Sequence, residues 1–143
     1  MEAYLAALEE AFAAYRQEIE DYNRKSNPLD GLLGFGRSLK NDACHDRFDE
    51  RVASRVTKIC QAGPDAETAE QAVRLLICRT DIPSWPMAAQ WMLRAAERHC
   101  IPLIPYLSRD AAAKLHREYA GRYRPWDRLP AQKEILKALK QAC

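Results

Sequence analysis

Apolar residues recur at spacings of 3, 4, 3, 4 and 3 through Leu5, Leu8, Phe12, Tyr15, Ile19 and Tyr22, the a/d seam of an amphipathic helix. Glu2, Glu9, Glu10, Glu18 and Glu20 occupy the other faces. A seam this short is not stable alone in water, so it must pack either within its own bundle or on a partner. The helix stops before Asn27-Pro28, because the residue before proline is pushed out of the α region.

The same periodicity predicts helices at about 42–61, 65–79, 85–100, 109–124 and 130–142. The second helix would bury Cys44, Phe48, Val52, Val56 and Ile59; after Gly63-Pro64 breaks the chain, the third would bury Ala66, Ala69, Val73, Leu76 and Ile77. In the fourth, Ser84 reads as N-cap with Pro86 in the first turn, and Trp85, Ala88, Met92, Ala95 and His99 as the inward face. Ile101–Leu107 carries two prolines and reads as an extended apolar linker packed across the bundle. Ser108 caps the fifth helix, and Pro130 opens the sixth, which buries Ile135, Leu136 and Leu139. Residues 26–41 read as one long irregular connection, holding three of the five glycines (Gly31, Gly34, Gly36) among Leu32, Leu33 and Phe35. The pattern therefore predicts an all-α, single-domain irregular bundle of about six helices over residues 1–143, with one Gly-rich loop and one Pro-rich linker.

Composition agrees. Val, Ile and Thr together number 13 and alanine 23 among 143 residues, which disfavours a sheet protein. No apolar stretch approaches the roughly 20 residues of a bilayer span, and the opening MEAYLAALEEAF lacks the basic start of a secretory signal. The five cysteines, Cys44, Cys60, Cys78, Cys100 and Cys143, form no CxxC pair, and most fall in apolar helical patterns. Reduced thiols and a cytoplasmic location are therefore expected, with Cys143 exposed. The net charge of +2 hides an asymmetry: residues 1–30 hold three basic and seven acidic side chains, residues 108–143 nine basic and four acidic. That polarity could steer an acidic partner to the C-terminal third or draw the two ends together.

Three groups of residues could carry chemistry. His45 and Asp49, four apart, share a helix face and could bind a metal or form an oriented base, if His99 or His116 completed the site. Gly31–Arg37 precedes a helix and could cradle an anion with Arg37 and Lys40, but it lacks both the dinucleotide fingerprint and the P-loop lysine. Leu32, Leu33, Phe35 and Arg37 equally suit partner docking or folding back on the core. Arg117, Arg122, Tyr123, Arg124, Trp126 and Arg128 alternate cations with rings, as in single-strand nucleic-acid binders, or else Tyr119, Tyr123 and Trp126 are core with the arginines reaching outward. No common catalytic motif is present and no cofactor is expected.

The function expected from sequence is a non-catalytic protein–protein interaction or regulatory module. It would use the glycine loop, or self-associate through Leu5, Leu8, Phe12, Tyr15, Ile19 and Tyr22. Nucleic-acid association through the basic C-terminal third and a metal-dependent activity at His45 and Asp49 are the alternatives.

Overall fold

The computed structural model describes residues 1–25 and 35–143, with the side chains of 23–25 and 35–42 excepted. The described residues form six α-helices: α1 (Glu2–Lys25), α2 (Phe35–Gln61), α3 (Ala66–Ile77), α4 (Met87–Ala96), α5 (Arg109–Ala120) and α6 (Pro130–Ala142). Three 3₁₀ segments join them, Ile82–Ser84, Glu97–Tyr106 and Pro125–Asp127. Strand is absent among the described residues, and no described helix is long and apolar enough to cross a membrane. The fold is the expected all-α single-domain bundle.

The α1 seam meets α2 in an aromatic cluster. Phe12 and Phe48 pack edge to face at 5.2 Å, Tyr15 stacks on Phe48 at 4.2 Å, and Trp85 closes the stack 5.7 Å from Tyr15. Leu8, Phe12, Tyr15 and Ile19 are buried in this core, and Leu5 packs against it. Four of the six seam residues are therefore taken up by the chain's own core, while Leu5 and Tyr22 at its two ends are half-buried. The bundle needed the seam, as a short amphipathic helix must.

Local signals set most of the boundaries. Gly63, the one positive-φ residue among those described (φ 66°), lets the chain leave α2 by donating its N–H to the Cys60 carbonyl at 3.1 Å. Asp65 caps α3 through Thr68 N–H at 2.8 Å, and Ser108 caps α5 through Ala111 N–H at 3.1 Å. Pro130 opens α6, and Gln132 reaches back to accept the Leu129 N–H at 2.9 Å. Ala66 is exposed, because it falls in the first turn beside the Asp65 cap.

Four expectations need correction. First, α4 starts at Met87 and buries Ala89, Leu93 and Ala96, followed by Glu97 and Cys100, one residue out of phase with the expected Ala88–Met92–Ala95–His99 face. Trp85 is buried but extended (ψ 153°) and lies before the helix, so its burial does not set the helix phase. Ser84 accordingly ends a 3₁₀ turn and does not cap α4. Second, residues 97–106 form a 3₁₀ run through Pro102 and Pro105, where an extended linker was expected. Prolines three apart match the three-residue 3₁₀ period, and their fixed φ suits it. Cys100, Leu103 and Ile104 are buried from this run, which packs against α3 and α6 as expected of a segment crossing the bundle. Third, α5 ends at Ala120, where Gly121 and Arg122 donate their N–H groups to the carbonyls of Arg117 and Tyr119. Fourth, α2 begins at Phe35, earlier than residue 42. Of the proposed docking residues, Leu32 and Leu33 lie outside the described residues, as do the side chains of Phe35 and Arg37.

Candidate functional site

The Arg–aromatic segment, read either as a nucleic-acid face or as core rings with arginines reaching outward, folds largely inward. Glu97 has 0% exposure and is the only fully buried carboxylate among the described residues. Tyr119 donates its hydroxyl to Glu97 in a short hydrogen bond, and Tyr123 OH donates to Glu97 Oε1 at 2.8 Å. Burial raises the Glu97 pKa; the two hydroxyls, the Arg122 charge and Gln132 pull it back. Arg122 donates to the Ile77 carbonyl and, at 2.7 Å, to the Arg79 carbonyl, tying α5 to the end of α3. Arg128 donates to the carbonyls of Ala120 (3.0 Å) and Tyr123 (3.3 Å). Two of the four arginines thus serve the chain's own backbone. Arg117 and Arg124 stay exposed, and Trp126, one of the expected core rings, is 75% exposed beside the Arg124 guanidinium at 5.7 Å.

His45 and Asp49 share the expected α2 face but are held by different partners. The Tyr15 hydroxyl lies 2.5 Å from His45 Nδ1. Asp49 accepts from Arg98 at 2.9 and 3.0 Å and from His99 Nε2 at 2.8 Å, fastening α2 to the residues after α4. His99 therefore reaches Asp49 as the metal reading required, but as a hydrogen-bond donor next to an arginine. Both Asp49 oxygens are engaged, and no cluster of three possible ligands occurs among the described residues. His116 is half-buried on α5.

A cleft of about 700 Å³ opens between α1, α3 and the segment after α3, lined by Leu5, Glu9, Gln71, Arg74, Cys78 and Arg79. Its cations are paired: Arg74 with Glu70 (3.0 Å) and Glu118 (2.7 Å), Arg79 with Asp81 (2.8 Å). Burial pushes the Cys78 thiol pKa up, the opposite of an activated nucleophile. Both arginines of the cleft are thus already paired within the fold.

The outer face of α4 differs from all of these. Met87, Trp91 and Arg94 follow at spacings of four and three, within about 60° of arc on a 3.6-residue helix, and Arg98 follows in the 3₁₀ run just past its end. All four are exposed, Met87 at 85% and Trp91 at 63%, directly opposite the buried Ala89, Leu93 and Ala96. The face continues toward the C-terminal segment. Arg94 lies 5.7 Å above the Tyr123 ring, its carbonyl accepts from Gln132 Nε2 at 3.5 Å, and Gln132 Oε1 accepts the Leu129 N–H. Arg98 is anchored by Asp49.

The sequence reading missed Met87 and Trp91. Starting the helix at Pro86 and following Ala89, Leu93, Ala96 and Cys100 as the inward stripe would have placed both outside. Comparison of the chain with protein-family models, curated proteins and solved structures finds no match.

Proposed function

We propose that this chain is a non-catalytic protein–protein interaction module, regulatory or accessory in role, that docks its partner on the outer face of α4. The observation that carries this reading is the pair Met87 and Trp91, one turn apart and 85% and 63% exposed, on a helix whose other side is core. Large apolar side chains held together in water mark an interaction surface, and tryptophan and arginine are the residues that most often dominate binding energy. Its five thiols suit a reducing compartment such as the cytoplasm.

The test is a photo-crosslinking amino acid at position 91, with exposed Lys137 on α6 as the control position. Crosslinks from 91 that vanish with Met87→Glu, and are missing from 137, are expected. Crosslinking indifferent to Met87 overturns the reading.

Nucleic-acid association is the second reading, favoured by the exposed Arg124–Trp126 pair. Salt-sensitive binding of a labelled single-stranded oligonucleotide, lost in Arg124→Ala/Trp126→Ala, would put it first.

A further inference from the structure

One edge of α2 carries more positive charge than the fold uses. Arg47, Arg51, Arg55 and Lys58 follow at spacings of four, four and three, within about 80° of arc and about 16 Å of helix axis. From Arg51 to the end of α2 at Gln61 the sequence contains no acid. The edge faces α1, because Glu18 accepts from Arg47 at 3.5 Å and from Arg51 at 3.0 Å. The two helices run antiparallel: Phe12 meets Phe48, and Tyr15 meets both Phe48 and His45. Passing from Arg51 to Arg55 therefore means passing from Glu18 back toward Ala14, Ala11 and Ala7, which continue the same stripe of α1 without charge. Glu10, the next acid in that direction, lies about 80° further round the helix.

Arg55 and Lys58 are thus left without a carboxylate. Neither has an ion-pair partner among the described residues, although Arg55 is half-buried and its Nε is buried with no hydrogen-bond acceptor. Buried donors are almost always paired, so a guanidinium held this way, one turn from an exposed ammonium, is a ready receptor for an anion.

We propose that Arg55 and Lys58 bind a carboxylate side chain of an acidic peptide on another protein, which bridges them as Glu18 bridges Arg47 and Arg51. The neighbouring pair is the precedent for the ligand's chemistry: one carboxylate answers two cations a turn apart on this same edge. Arginine's planar fork suits carboxylate oxygens, and the half-buried position of Arg55 strengthens such a pair over one on an open surface. A nucleic-acid strand fits less well, because a phosphate chain extended along α2 meets exposed Asp46 and Glu50 within three turns. The site does not involve the outer face of α4 and stands whether or not that face docks a partner.

The experiment is fluorescence anisotropy of a labelled oligo-glutamate peptide titrated with the full chain. Saturable binding that weakens as salt rises is expected. Arg55→Gln and Lys58→Gln should each weaken it by roughly tenfold, the loss of one charge-assisted contact, with circular dichroism unchanged. Glu18→Gln should strengthen it, since Arg51 is then released to the peptide. Arg124→Ala, far along the chain, should leave it as it was. Binding that ignores Arg55 and Lys58 overturns the proposal, as does failure to saturate up to about millimolar chain. So does a single-stranded oligonucleotide that binds through the same two residues more tightly than the peptide, or inorganic phosphate that displaces the peptide at equal concentration. In either of those cases the ligand is a phosphate and not an acidic partner.

Discussion

Two regions of this molecule are built from the same materials, arginine with aromatic rings, and use them in opposite ways. At the end of α5, Tyr119, Arg122, Tyr123 and Arg128 direct their polar atoms to Glu97 and to the carbonyls of Ile77, Arg79, Ala120 and Tyr123. On the outside of α4, Met87 and Trp91 remain exposed to solvent, and Arg94 lies over the Tyr123 ring. Residue type is common to both regions; the difference is whether a buried acceptor waits within reach. A fully buried carboxylate needs donors, because desolvation without hydrogen bonds costs several kcal/mol, and the tyrosines nearest Glu97 answer that need.

The sharpest way to break this contrast is to remove core on one side of α4 and surface on the other. Leu93→Ala, in the buried stripe, is expected to cost about 2–5 kcal/mol in denaturant unfolding, the range for large-to-small core changes. Trp91→Ala, two residues away, should move stability by less than about 0.5 kcal/mol. Similar losses for the two would mean that Trp91 belongs to the fold.

Next in size is the buried network. Tyr119→Phe keeps the ring and deletes one of the two hydroxyls on Glu97, so a loss of about 1–3 kcal/mol is expected. Arg122→Ala leaves the carbonyls of Ile77 and Arg79 without their donor and should cost about as much, judged by thermal melting. Arg124→Ala, exposed beside Trp126, should be nearly silent in the same measurement.

The smallest effect is a pH dependence. The folded pKa of Glu97 is raised above its ordinary 4.5, so between that value and the raised one the native state holds a proton that the unfolded chain has released. Glu97 then contributes more stability as pH falls through this window and loses it as pH rises. The melting temperature of the wild type relative to Glu97→Gln should increase on going from neutral pH toward 4.5. Asp81 and Glu118, whose pKa values arginines hold below the usual carboxylate range, act in the opposite sense and at lower pH. A wild-type–Glu97→Gln difference that is flat across the window would remove Glu97 from the list of titrating groups.

Much of the architecture was legible along the chain, for reasons that are local. The α1 seam, the α2 stripe from Cys44 to Ile59, the cap at Ser108, the break at Gly63-Pro64 and the opening of α6 at Pro130 all follow from side-chain period, backbone φ and hydrogen bonds spanning a few residues. Periodicity says which residues share a face, and a short amphipathic helix must bury its apolar one. It does not say which neighbour covers that face, nor where a phase begins when an extended residue such as Trp85 is itself buried. Tertiary structure decided that the α1 seam would pack on α2, that Asp49 would go to His99 and Arg98 instead of completing a site with His45, and that Tyr119 and Tyr123 would turn inward to Glu97. These are contacts between residues 22 to 50 positions apart, set by the packing of whole elements, and no local spacing encodes them.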